Sequence, residues 1–255
     1  MSTSTIGLYG KLPSHGDFVT RDLPPSFINI WDEWLQRGML CSQEELGENW
    51  LDIYLTSPIW RFSLSEGVID NNNWAGIIIP SVDRVGRYFP FTLLAKLPAE
   101  CNCLDFISSQ SAWYKELENI ALQGLEGHLD VNEMHMELSN ISDIGLQPYT
   151  AKQNLGQQSA SHISISMDFD EQLPASVYPS IMDFLLRKDG SSYSVWHSLG
   201  SDLVNPSVLI SKGLPPTRGL TALIDGQWEK HNWFIPVKSL SPTYKDSLLI
   251  PEEIF

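Results

Sequence analysis

The stretch at residues 74–97, WAGIIIPSVDRVGRYFPFTLLAKL, constrains the fold of this chain more than any other. An apolar run, Ile77-Ile78-Ile79, is halted by Pro80. A polar elbow follows, Ser81-Val82-Asp83-Arg84-Val85-Gly86-Arg87, and a second apolar run extends from Tyr88 to Leu97. Runs of β-branched, aliphatic and aromatic residues bounded by turn formers predict buried strands. Gly86 suits a hairpin connection, because it accepts positive φ without a Cβ clash. The stretch therefore predicts two central antiparallel strands with one acidic and two basic side chains at their joint. An unpaired charge beside a core is very costly, so Asp83, Arg84 and Arg87 call for partners elsewhere in the chain.

The rest of the sequence supplies enough apolar material to bury such strands. Forty-two per cent of the 255 residues are hydrophobic, 18% are charged and nine are Trp, which describes a globular chain and excludes a disordered one. With no internal repeat and no linker, a single domain over residues 1–255 is expected. No membrane insertion is expected, since Pro80 and the charged elbow interrupt the longest apolar region. The opening residues MSTSTIGLYGKLP lack the basic start and apolar stretch of a secretory signal. Cys41, Cys101 and Cys103 are odd in number and form no spaced pairs, so reduced thiols in a cytoplasmic protein are expected.

The net charge of −15 is uneven, with 2 basic and 12 acidic side chains in residues 99–175. Such a surface repels phosphate backbones and anionic lipid, which argues against nucleic acid and membrane surfaces as partners. The acidic section reads as a solvated helix face before it reads as a dock for a basic partner.

Taken in order, residues 6–12 predict a short strand, followed by a turn at Pro13-Ser14-His15-Gly16-Asp17. Leu23-Pro24-Pro25 opens a helix whose Phe27, Ile30, Trp31, Trp34, Leu35 and Met39 share one face, ending near Gly38. Ser42-Gln43-Glu44-Glu45 has the form of a capping box and predicts a second helix with Leu46, Trp50, Ile53 and Tyr54 on one side. A strand at residues 60–65 precedes the central pair in meander order. Helices are expected from Asp105 to about Gly124 and from Asp130, where Glu133 completes another capping pattern. Residues 147–160 read as a loop, residues 161–169 as a strand, and Leu173-Pro174 as the start of a helix. Strands at residues 193–197 and 208–211, a short helix at 217–224 and a surface-lying final segment complete the chain. The pattern predicts an α/β fold, a sandwich around a mixed, partly antiparallel sheet.

Candidate chemistry is sparse. Gly7-Leu8-Tyr9-Gly10-Lys11 is too short between its glycines for a phosphate-binding loop, and Leu12 stands where a hydroxyl is required. Ser14, His15 and Asp17, or Ser81 and Asp83, are types suited to a nucleophilic site, but neighbours in a tight turn seldom face each other and no G-x-S-x-G elbow is present. His15 with Asp17 and Asp83 is a thin metal-ligand set, as is Cys101-Asn102-Cys103 without a second pair. The favoured reading is a polar network in which Asp17 and Asp83 pair with Arg21, Arg84 or Arg87 through the planar guanidinium fork. His128, His135, His162, His197 and His231 stand at no ligand spacing. No catalytic residue, metal or cofactor is assigned.

Several motifs occur together and in order: Gly7-Leu8-Tyr9-Gly10-Lys11-Leu12-Pro13, Gly16-Asp17-Phe18, Leu23-Pro24 and Trp31-Asp32-Glu33-Trp34-Leu35. Ser57-Pro58-Ile59-Trp60-Arg61-Phe62, Trp74-Ala75-Gly76 and Pro80 to Pro90 continue the series. With these motifs the chain resembles the TagF family, also called ImpM, of type VI secretion-associated proteins. The match is dense over residues 6–98 and thinner over residues 99–255. There it runs through Tyr193-Ser194-Val195-Trp196 and Gly213-Leu214-Pro215 to Leu223-Ile224-Asp225-Gly226-Gln227-Trp228. The resemblance implies a three-layer α/β/α fold and a cytosolic accessory protein of Gram-negative bacteria. It also implies post-translational repression of type VI secretion assembly through the FHA-domain scaffold protein of the apparatus. Some members carry a fused phosphatase domain, but no such activity is expected here, and the family supplies no catalytic residues to carry over.

The leading expectation is thus a non-enzymatic regulator that binds a secretion component. The joint and the 11–17 turn are a candidate contact surface: Lys11, His15, Asp17, Ser81, Asp83, Arg84 and Arg87. The competing expectation is a small enzyme or ligand-binding module built from His15, Asp17, Ser81, Asp83, Arg84 and Arg87.

Overall fold

Among the described residues, the strands at residues 74–97 form the middle of one seven-stranded sheet. A computed structural model of the chain describes residues 5–141, 177–188 and 190–234. Its strands are β1 (Ile6–Gly10), β2 (Val19–Arg21), β3 (Trp60–Leu64), β4 (Asn73–Ile79), β5 (Phe91–Leu97), β6 (Tyr193–Ser198) and β7 (Ser207–Lys212). They lie in the order β2-β1-β5-β4-β3-β6-β7. Between β2 and β3 run α1 (Pro25–Leu46) and α2 (Trp50–Leu55); after β5 come α3 (Cys103–Ser109), α4 (Ser111–Leu125), α5 (Val131–Asn140) and α6 (Tyr178–Arg187); α7 (Thr217–Asp225) follows β7. The expected strand at 161–169, the loop at 147–160, the helix start at Leu173-Pro174 and the final segment lie outside the described residues.

Every pairing among the described residues is antiparallel, so the expected mixed sheet is corrected. Parallel neighbours need a crossover that returns the chain alongside the strand it left. Here the α1–α2 excursion leads from β2 at one edge to β3, four places across the sheet. The two strands it joins share a direction and are never neighbours. The meander β3-β4-β5 is as expected, with Asn73 opposite Leu97 and Ile79 opposite Phe91.

Alternation along the strands divides the core. Ala75, Ile77, Ile79, Phe91, Leu93 and Ala95 pack with Phe106, Trp113, Leu117 and Met134 of the helices after β5. Trp60, Phe62, Leu64, Trp74, Leu94 and Trp196 pack with Phe27, Trp31, Trp34 and Leu35 of α1 and with Leu220 and Leu223 of α7. Phe27 and Phe62 are fully buried, each worth about 1.5–3 kcal/mol relative to exposure. Gly76 permits the β4–β5 approach, since a Cβ there would lie 2.1 Å from the Leu93 carbonyl oxygen.

Three helix expectations are corrected. α1 does not end near Gly38 but runs 22 residues, through Gly38 and Ser42, to Leu46. Gly38 is buried, and a Cβ there would meet Leu220 Cδ1 at 2.6 Å, so it is a contact residue between α1 and α7. Ser42 caps nothing: its Oγ donates to the Met39 carbonyl oxygen at 2.8 Å and accepts from Trp50 Nε1 at 2.8 Å. Glu45, the other half of the expected box, faces Arg218 and His231 instead. The helix expected from Asp105 to Gly124 breaks at Gln110 (φ −94°, ψ 37°). Its first part starts at Asn102, whose side chain accepts from Leu104 N and Asp105 N. The capping box of Asp130 and Glu133 forms as expected.

Candidate functional site

The joint between β4 and β5 winds around Asp83. The Asp83 side chain is fully enclosed. Oδ1 accepts from Val85 N at 3.0 Å and Arg87 N at 2.9 Å; Oδ2 accepts from Lys11 Nζ at 2.9 Å and Arg87 Nε at 2.7 Å. Asp83 N donates to Arg87 O, and Gly86 N to Asp83 O, both at 3.0 Å, closing a tight loop in which Gly86 has φ +87°. A left-handed residue there favours glycine. Burial alone raises the pKa of Asp83, but the bonds from the Arg87 amide, Lys11, the Arg87 side chain and the Val85 amide outweigh it. The carboxyl is held well below the usual carboxylate range and stays ionised.

The same residues fasten the joint to the 11–17 turn. Lys11 is buried beside Asp83, with its ammonium 5.1 Å from the Phe18 ring centroid. Ser81 Oγ donates to the Lys11 carbonyl oxygen at 2.6 Å, Arg84 N donates to the His15 carbonyl oxygen at 2.9 Å, and Arg87 Nη2 donates to the Gly16 carbonyl oxygen. From α2, the Tyr54 hydroxyl donates to Ser81 O at 3.0 Å and accepts from Ser81 N at 2.9 Å. Loop, turn and helix are thus stapled by polar groups paired within the chain, those of Lys11, Tyr54, Ser81 and Asp83 being buried.

The expected site residues fall into two sets. Lys11, Ser81, Asp83 and Arg87 converge. His15 joins them only through its backbone, its ring contacting Ser14 Oγ at 2.9 Å. Asp17 does not join: its Oδ1 accepts from Phe18 N, and it makes no ion pair among the described residues. Among the described residues the Arg21 side chain likewise bonds only the Thr20 carbonyl oxygen. The expected pairing of an Asp with an Arg is met by Asp83 and Arg87, and the second cation is Lys11, not an arginine. Arg84 projects along Gly16, where a Cβ would lie 3.4 Å from its Nη2, and no described residue pairs with its guanidinium.

The exposed part of the joint carries a different chemistry. Arg84 is exposed, Val85 is 65% exposed, and the Arg87 side chain is 57% exposed. Phe18, stacked on Tyr9 and edge-on to Phe89, is 42% exposed. Phe18 and Val85 were missed as surface residues; two apolar residues beside turn charges are the signal that marks them. Tyr54 was missed as well, and nothing in its sequence neighbourhood points to Ser81.

Other features bear on chemistry. Ser81 Oγ commits its proton to the Lys11 carbonyl, and no imidazole contacts it among the described residues. No group of three His, Cys, Asp or Glu suited to a metal occurs among them. An apolar slot of about 40 Å³ lies between α1, α7 and the ends of β3 and β4, walled by Trp34, Trp60, Ile78, Pro80 and Leu223. His231 is buried with Nε2 2.8 Å from Asp225 Oδ2 and Nδ1 3.1 Å from Glu45 Oε2, joining the segment after α7 to the end of α1. No described helix is long and apolar enough to cross a membrane.

The model of the TagF N-terminal domain, type VI secretion system-associated, matches residues 7–141, from β1 to the end of α5, and the chain belongs to that family. It is therefore a type VI secretion-associated protein. Among solved structures it is similar to PA0076 from Pseudomonas aeruginosa PAO1, with 32% sequence identity and a TM-score of 0.72, over 93% of this chain and 100% of that one. No curated protein matches the chain.

Proposed function

We propose that this protein is a non-enzymatic, post-translational repressor of type VI secretion assembly, acting in the cytoplasm by binding a component such as the FHA-domain scaffold protein. We place the contact at the β4–β5 joint and the 11–17 turn. The observation that carries this reading is the division of labour at the joint. Lys11, Ser81 and Asp83 spend their polar groups inside the chain, whereas Arg84, Val85 and Phe18 face solvent on a rigid support. A rigid exposed patch suits docking, because little ordering entropy is lost on association. An Asp saturated by four donors and a Ser bonded to a carbonyl are poorly placed as base and nucleophile. Helices on opposite faces of the sheet are read as the outer layers of an α/β/α sandwich supporting this tip.

The test is capture of the purified FHA-domain protein on immobilised full-length chain at mild salt, with secretion measured in cells overproducing the chain. Capture together with reduced secretion is expected. A folded chain that neither captures the scaffold nor alters secretion refutes the proposal.

A further inference from the structure

Resting on the docking reading above, we propose that the joint receives a short acidic segment of its protein partner, with an apolar residue set between carboxylates. Residues 11–17 and 81–87 hold three cations, Lys11, Arg84 and Arg87, against two anions, Asp17 and Asp83. They form a cationic island in a chain of net charge −15. Lys11 and Arg87 share one buried carboxylate, so its single negative charge leaves part of theirs unbalanced. Arg84 adds a guanidinium that no described residue pairs. The planar fork of arginine binds carboxylates in bidentate fashion.

Position adds an apolar element. Val85 lies between the two arginines and is mostly exposed, while its amide is fixed by Asp83 Oδ1. Asp83 is thus a positioning residue: it winds the loop so that Arg84, Val85 and Arg87 are presented without further ordering. Phe18 extends the apolar surface across the turn.

Charge also limits the length of the occupant. The rest of the chain is more negative still, so a long polyanion such as nucleic acid meets repulsion away from the joint. A short segment within a Debye length, about 10 Å at 0.1 M salt, meets chiefly the island.

Fluorescence anisotropy of the full chain with a labelled Glu-Glu-Leu-Glu-Glu peptide tests the proposal, beside Lys-Lys-Leu-Lys-Lys, Glu-Glu-Ser-Glu-Glu and a DNA oligonucleotide. Arg84→Glu is compared with Lys115→Glu, an equal charge change on exposed α4, and circular dichroism checks that each variant is folded. The acidic leucine peptide is expected to bind in preference to the other probes. Its affinity should fall about tenfold in Arg84→Glu, hold in Lys115→Glu, and weaken between 0.1 and 1 M salt as the Debye length shrinks to about 3 Å. Equal binding of the lysine peptide, the serine peptide or DNA overturns the proposal, as does an Arg84→Glu variant that binds like wild type. If Arg84→Glu loses capture of the FHA-domain protein while no acidic peptide binds wild type, the acidic-segment chemistry is refuted and the docking reading stands.

Discussion

Removing a single oxygen from Tyr54 should loosen the joint from within. Tyr54 is 1% exposed, and its hydroxyl is the partner of both backbone groups of Ser81. In Tyr54→Phe the two groups fare differently. The Ser81 carbonyl keeps its bond from Phe89 N at 3.0 Å, but the Ser81 amide loses its partner in a buried site. An orphaned buried donor costs about 1–3 kcal/mol and the second lost bond about 1 kcal/mol, so a loss of roughly 2–3 kcal/mol is expected. For a domain of this size that corresponds to a fall of about 5–10 °C in Tm. Burial raises the pKa of the hydroxyl, an effect that the bond it accepts from the Ser81 amide only partly offsets, so the loss should not vary between pH 6 and 9. Urea denaturation followed by Trp fluorescence measures the change, and hydrogen exchange at the Ser81 amide localises it. A variant within about 0.5 kcal/mol of wild type, the range of a neutral surface change, with an unaltered Ser81 amide, would refute the brace.

Other perturbations test other parts of the account. Asp83→Asn should be destabilising at neutral pH. Because the folded pKa of Asp83 is depressed, its contribution is fully present above the unfolded value of about 3.9 and is lost as pH falls through the folded one. The gap in urea midpoint between wild type and variant should therefore narrow from pH 7 to pH 3; a gap that widens contradicts the assigned ion pairs. Gly76→Ala should cost about 3 kcal/mol or more, since the new Cβ meets backbone atoms of Leu93 and Leu94 that cannot rotate away; normal stability in calorimetry contradicts that packing. Glu118→Leu strands the buried Arg61, which Glu118 holds by two bonds of 2.6 and 2.9 Å, and should cost about 3 kcal/mol. Adding Arg61→Met should restore much of that loss in a double-mutant cycle, and strictly additive losses would argue against the pair.

The central strands were legible because apolar runs interrupted by Pro80 and Gly86 have few other interpretations. The register, Asn73 with Leu97 through Ile79 with Phe91, follows once the joint closes around Asp83. The presence of partners for Asp83 was legible from the cost of a buried charge, but their identity was not. Lys11 lies 72 residues away and reaches Asp83 because β1 pairs with β5, a fact of sheet order that local periodicity does not carry. The mixed sheet was a fair inference from alternating helices and strands, and failed because α1 and α2 cross the sheet without returning beside β2. Gly38 and Ser42 misled for a related reason. Their types resemble helix punctuation, yet contacts with Leu220 and Trp50 across the fold decide their roles. At the site, charge marked Arg84 and Arg87, while the exposure of Val85 and Phe18 depends on how turn and loop are fastened together.

Hydrogen exchange of the full-length chain with and without the FHA-domain protein tests the docking claim most directly. The account predicts added protection of amides in residues 14–18 and 84–87, with the acidic faces of α4 and α5 unchanged. Protection confined to α4, α5 or the β7 edge, with the joint exchanging as in the free chain, would contradict it.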